Sequence, residues 1–222
     1  MSTDQEISGA EIILQALKDQ EVDTIFGYPG GAVLPIYDAL FGQNFLKHVL
    51  VRQEAGAVHA AEGYARSSGK VGVLLVTSGP GVTNVVTGLT DALMDSIPLV
   101  CISGQVPSHL IGTDAFQECD TTGITRPCTK HNYLVKDVSK LSEIIHEAFE
   151  IARSGRPGPV LIDIPKDVQF AKSNYVKKSE VTFKSHRIKS GSKDINREFI
   201  ETLVDHIKKS TKPIFYVGGG CL

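Results

Sequence analysis

Val71-Gly-Val-Leu-Leu-Val76 is an apolar run of strand length with no polar residue in alternation. A strand with one solvated face alternates polar and apolar positions, so a run that is apolar throughout must be covered on both sides. Pro98–Ser103 and Pro159–Ile164 read the same way, with shorter strands at Thr24–Phe26, His48–Val51 and one ending at Val135. Helical spacing fills the intervals: a helix from near Gly9, another over Ala32–Leu40, one opening at Glu54, one from the Ser78–Asn84 loop to about Met94, and one over Leu141–Arg153. Strands alternating with helices through short connections imply an α/β fold, a parallel sheet with helices on both faces.

Local signals sharpen the ends of these elements. Ser8-Gly-Ala-Glu11 is a capping box in front of Ile12, Ile13, Ala16 and Leu17. The helix opening at Glu54 carries Ala55, Val58, His59, Glu62 and Ala65 at three- and four-residue steps, and small residues crowd its first half, so a backbone or a flat ligand can come close. From about Phe170 the texture changes, and Lys172–Lys193 is rich in lysine and serine without apolar periodicity. The expected organisation is a domain over 1–170, a linker over 171–193 and the start of a second α/β domain over 194–222. In that last part Ile195–Lys209 reads as a helix and Pro213–Val217 as a strand entering Gly218–Gly220. A lone strand with a glycine loop cannot bury itself, so the chain is expected to be truncated there.

Composition removes several function classes. Hydrophobic residues make up 41% of the 222, enough for a substantial core. A net charge of −2 argues against nucleic acid or a membrane surface as partner. The four cysteines, Cys101, Cys119, Cys128 and Cys221, form no C-x-x-C pair and no metal-ligand spacing, which suits reduced thiols. No apolar run reaches the roughly 18 residues of a membrane span, and the N-terminus shows no signal-peptide h-region. The expectation is a cytoplasmic protein.

Two glycine loops follow strands: Gly27-Tyr-Pro-Gly-Gly31 and Thr77-Ser-Gly-Pro-Gly81. The second resembles a dinucleotide fingerprint, but Asn84 stands where its third glycine would be and no acidic residue closes a following strand, so a nucleotide site is not expected. Backbone N–H groups in such loops still suit something flat or anionic. Glu54 stands at the strand-to-helix turn on the same edge; it is either a cap of its own helix or a carboxylate offered to that ligand. Asp114-Ala-Phe-Gln-Glu-Cys-Asp120, taken alone, reads as a surface loop, and Arg156 and Lys166 as solvated cations flanking a strand. Cys101 reads as core, and Tyr64 and His59 as helix packing.

In order along the chain, Phe26-Gly-Tyr-Pro-Gly-Gly31, Arg52-Gln-Glu54 with Glu62-Gly-Tyr-Ala-Arg66, Thr77-Ser-Gly-Pro-Gly81, Asp95-Ser-Ile-Pro98, Asp114-Ala-Phe-Gln-Glu118, and Gly155-Arg-Pro-Gly-Pro-Val160 with Asp163-Ile-Pro-Lys166 resemble one family. It is the large catalytic subunit of acetohydroxyacid (acetolactate) synthase, a thiamine-diphosphate enzyme. The resemblance implies that 1–170 is the pyrimidine-binding domain, and that the diphosphate and its Mg²⁺ are held by residues beyond this chain. It implies that Glu54 hydrogen-bonds a pyrimidine nitrogen and so helps form the ylide that attacks pyruvate. Tyr28, Pro29, Pro80 and Asn84 would touch the cofactor, Arg156 a non-redox FAD. Gln117 would stand at the reacting centre, with Gly31, Ala32, Phe116 and Lys166 on the substrate side. The implied substrates are pyruvate and 2-ketobutyrate; the implied assembly is a homodimer or tetramer of catalytic subunits with a small regulatory subunit, and the fragment alone would be inactive. Ser108-His109, where basic residues are common, and Gln53, where histidine is common, depart from the pattern. Another thiamine-diphosphate lyase or oxidase, or a non-catalytic interaction module, are the alternatives.

Overall fold

The computed structural model describes residues 6–181 and 196–221. The chain divides into two compact units, Met1–Lys184 and Ser185–Leu222. The first runs β1 (Ile7–Ser8), α1 (Gly9–Asp19), β2 (Thr24–Gly27), α2 (Leu34–Phe41), β3 (Lys47–Leu50), α3 (Glu54–Ser68), β4 (Gly72–Val76), α4 (Pro80–Thr83) and α5 (Val86–Asp95). It continues with β5 (Leu99–Gln105), α6 (Thr121–Thr125), β6 (His131–Leu134), α7 (Leu141–Arg153), β7 (Pro159–Pro165), α8 (Lys166–Phe170) and β8 (Lys172–Ser173). Six of these strands form one parallel sheet in the order β3-β2-β4-β5-β7-β6.

The apolar runs are strands buried on both faces, and the two-residue period divides each between two cores. Val73, Leu75, Val100, Ile102, Val160 and Ile162 join a core under α1, α2, α7 and α8. Leu74, Val76, Leu99, Cys101 and Leu161 join a second core under α3 and α5. Helices therefore cover both faces, as the sequence implies. On the second side α3 and α5 approach closely: a Cβ on Gly88 would stand 2.2 Å from Val58 Cγ1, so only glycine fits.

The capping box forms as expected, with Glu11 N–H donating to Ser8 Oγ and Ser8 N–H donating to Glu11 Oε2. The single helix expected up to Met94 is instead two. Val85 N–H donates to Val82 O, a tight 3₁₀-type step, and Asn84 closes α4 before α5 begins. The helix expected over Ala32–Leu40 opens as a 3₁₀ turn, Gly31–Val33, before α2. Past residue 170 the chain stays on the first unit. Ser8 pairs antiparallel with Lys172, Tyr175 Oη donates to Asp19 Oδ2 at 2.9 Å, and Ser142 Oγ donates to Val176 O. Residues 182–193 of the expected linker lie outside the described residues.

In the second unit α9 (Arg197–Lys209) is capped by Asn196, whose side chain accepts from Phe199 N–H. Ile195, the expected first helical residue, lies outside the described residues. Pro213–Val217 is not a strand as the sequence suggested: among the described residues it has no ladder partner, and an unpaired segment cannot satisfy strand geometry.

Candidate active site

In a parallel sheet every strand ends on the same edge, so the loops after β2, β3, β4, β5 and β7 converge there. The chain moves from β2 outward to β3, then returns to β4 on the other side of β2. That reversal opens a crevice beyond the carboxyl ends of β2 and β4, the position where open α/β sheets take ligands. The two glycine loops flank it. Gly30 lies against Thr77, where a Cβ would come within 2.5 Å of Thr77 Oγ1, and Ala32 N–H points to that oxygen at 3.4 Å. Tyr28 and Pro29 are exposed on the rim, Ala32 is buried, and nothing lies within 4 Å of where a Gly31 Cβ would stand.

Glu54 begins α3, with Gln53 as the cap: its side chain accepts from Ala55 N–H. Glu54 is therefore not the cap, and its carboxylate is buried at 8% exposure. Asn84 Nδ2 donates to Glu54 Oε2 at 2.9 Å, joining the loops after β3 and β4 across the end of β2. The interruption between α4 and α5 is what places Asn84 there. Among the described residues Oε1 accepts no hydrogen bond.

The Asp114–Asp120 segment, which alone read as a surface loop, packs on the second glycine loop. Gly79 has φ +51°, and a Cβ on it would meet Gln117 O at 2.4 Å. Gln117 and Asp114 are themselves left-handed, at φ +60° and +58°. Such positions cost about 1–3 kcal/mol each and persist only where the surroundings impose them. Glu118 imposes them here, accepting from the N–H groups of Gly112 and Ala115, and these bonds hold its carboxyl below the usual range. Phe116 is carried out at 88% exposure, on the side of the loop away from the core.

Residues 7–124, more than half of the chain, match the family described as thiamine pyrophosphate enzyme, N-terminal TPP binding domain. The chain belongs to this family. It is 52% identical over 221 residues to the chloroplastic acetolactate synthase of Arabidopsis thaliana, covering 99% of this chain and 32% of that protein. It is 51% identical over 219 residues to the acetolactate synthase isozyme 3 large subunit of Escherichia coli, covering 97% and 38%. The mitochondrial acetolactate synthase catalytic subunit of Saccharomyces cerevisiae is 51% identical over 220 residues, covering 97% and 32%. The chain thus spans about a third of the length of these relatives.

The residues present offer polar groups that suit a thiamine pyrophosphate site. The fold here offers a buried carboxylate beside two glycine turns, with Oε2 held by Asn84 and, among the described residues, no partner for Oε1. Lys166 opens α8 just after β7, on the same edge. Asp167 beside it accepts from Ser108 N–H at 2.9 Å, so the departing Ser108 joins two rim loops. Arg156 is not brought to this edge. It precedes β7, and its guanidinium donates to Ser96 Oγ and to the carbonyls of Leu93 and Met94, closing the carboxyl end of α5.

Asp163, quoted above only within a motif, is the hub beneath the rim. It is buried in β7 and accepts from Ser103 Oγ at 2.7 Å and from Gln105 Nε2 at 2.9 Å; Gln105 also holds Cys119 O and Thr121 Oγ1. Burial pushes its carboxyl up to about 7 against those hydrogen bonds. The available signal was an aspartate inside an otherwise apolar strand. Gln169, fully buried, donates to Ala32 O and Ile164 O, and nothing in the sequence pattern marked it. Among the described residues no helix is long and apolar enough to cross a membrane.

Proposed function

We propose that this chain supplies the pyrimidine-binding half of an acetolactate-forming active site. One observation carries the reading: the buried Glu54 carboxylate, held through Oε2 by Asn84 at the crevice between β2 and β4. Thiamine pyrophosphate, when bound, supplies the carbanion-stabilising chemistry. The chain's part is proton placement. Asn84 holds Glu54 through Oε2, and the Glu54 carboxylate would hydrogen-bond a pyrimidine nitrogen and keep the proton there. Tyr28, Pro29 and Pro80 set the walls of the slot. Gln117 would stand at the reacting centre, with the buried Ala32 and the exposed Phe116 on the substrate side. Lys166 attracts the carboxylates of pyruvate and 2-ketobutyrate to the rim, beside Gly31.

The rest of the reading concerns the whole protein. The diphosphate and its Mg²⁺ belong to the part of the relatives' length that this chain does not span. A second catalytic subunit would bring that part to the crevice, giving a homodimer or tetramer. A small regulatory subunit suits the large-subunit names of several relatives. For FAD the support is the resemblance around Arg156, whose hydrogen bonds to α5 also give it a structural task. The free thiols Cys101, Cys119 and Cys128 suit a reducing compartment, for which we take the cytoplasm.

The test is a transplant. Residues 6–181 replace the matching segment of the E. coli isozyme 3 large subunit, and acetolactate formed from pyruvate is measured. Turnover within tenfold of the parent supports the reading. A chimera that folds and binds thiamine pyrophosphate but forms no acetolactate overturns it.

A further inference from the structure

His59 was expected to pack within its helix. It is instead about half exposed, and its Nδ1 lies 2.7 Å from Glu62 Oε2, one turn further along α3. Asp91 faces them from α5. One ligand atom from each of the three lies within 4.8 Å of the other two. The close α3–α5 packing at Gly88 and Val58 fixes this geometry. A second observation points to a missing partner. The Glu62 side chain is only 6% exposed, and its Oε1, shut off from solvent, has no hydrogen-bond partner among the described residues. A buried carboxylate oxygen in that condition is costly. Burial pushes the Glu62 carboxyl up, Asp91 adds to this, and the His59 bond opposes it. The nearby guanidinium of Arg66 is engaged by Asp95.

We propose that His59, Glu62 and Asp91 form a seat for a divalent transition-metal ion, with zinc as the best match and a fourth position open to water. One imidazole and two carboxylates are a zinc-type donor set, whereas magnesium takes oxygen ligands only. Bonds of about 2.0–2.2 Å set tetrahedral ligands roughly 3.3 Å apart. The His59–Glu62 contact therefore opens slightly on binding, and His59 is exposed enough to swing. The ring gives up its hydrogen bond to Glu62 and presents a nitrogen lone pair as the other tautomer. The seat lies two turns of α3 from Glu54, about 12 Å along the axis. It is separate from the cofactor crevice and independent of the function proposed above.

The test uses the whole chain. Zinc chloride is titrated calorimetrically into the metal-free protein, and retained zinc is counted after dialysis. Cobalt chloride then reports ligand type by its absorption spectrum. The expected result is one ion per chain with micromolar affinity and a cobalt spectrum lacking a thiolate charge-transfer band. Glu62→Gln, Asp91→Asn and His59→Gln should each weaken binding by more than the roughly 10–100-fold that loss of an outer-shell partner causes. If Glu62→Gln fails to fold, the two exposed positions carry the result. Binding no tighter than millimolar, a thiolate band, or affinity unchanged in Asp91→Asn and His59→Gln would each overturn the proposal.

Discussion

The two edges of the central sheet use the same residue types for opposite ends. At the amino edge Asp23 is exposed and takes hydrogen bonds from Lys70 and Tyr64, which pull its carboxyl down to about 2. Arg156 there closes the end of α5. At the carboxyl edge Glu54 is buried with one oxygen unpartnered, Asp163 is buried and pushed up to about 7, and three residues of the adjoining loop are left-handed. The amino edge is locally satisfied, whereas at the carboxyl edge Asp163 is satisfied only at the cost of burial and Glu54 Oε1 has no partner among the described residues. Polar groups kept in that state bind ligands, because the ligand completes them.

The contrast can be broken at five positions. Glu54→Gln in the chimera should lower turnover about 10²–10⁴-fold. Its melting point should hardly move, since an acid in a first helical turn contributes about 0.3–1 kcal/mol; a stable, fully active variant would erase the distinction between the edges. Asp163 gives the next largest effect. Its folded pKa of about 7 exceeds the ordinary 3.8, so the native state keeps a proton that the unfolded chain has lost between those values. Its contribution is therefore full below about pH 4, declines as pH rises, and is flat above about pH 7, a change on the order of 4 kcal/mol. Urea unfolding across pH, wild type minus Asp163→Asn, should show that decline, and a flat difference would refute it.

Gly79→Ala and Gly69→Ala compare left-handed glycines at the two edges. Both carry the φ penalty, about 1–2 kcal/mol. Only the first also drives a Cβ to 2.4 Å from Gln117 O, whereas Gly69 has open space. Denaturation should give about 3 kcal/mol for Gly79→Ala and about half that for Gly69→Ala. The smallest effect is expected from Lys70→Gln. Both partners of the Lys70–Asp23 pair are half exposed and screened by solvent, so its loss should be the least of the series and vanish at high salt.

What was legible in the sequence was local or periodic. Ser8 and Glu11 bond each other three residues apart, and Leu141–Arg153 begins and ends where its apolar stripe does. The unalternating runs required cover on both sheet faces, and Glu54 and the glycine loops were marked by their place after strands. What was hidden depends on partners distant in sequence. The break at Asn84 follows from nothing within α4 or α5, and it matters through a bond to Glu54 thirty residues back. Arg156 could not be assigned to α5 without knowing which helix end lies beside it. His59 fits the helical spacing, but spacing cannot show that its side of α3 meets Asp91.

Ile7 pairs with Ser173, and Gly9 N–H donates to Ala171 O, so the first and last strands of this unit lie side by side, about 5 Å apart, before the chain runs on over Asp19 and Ser142. A body tethered at one point can be lifted out of a longer polypeptide, or set into another, without stretching either. Joining the end of the segment that packs on Asp19 and Ser142 to Ile7, and reopening the chain at an exposed loop, would leave every strand of the main sheet with its present neighbours. This pairing makes the unit portable, as a gene segment and as an engineering cassette.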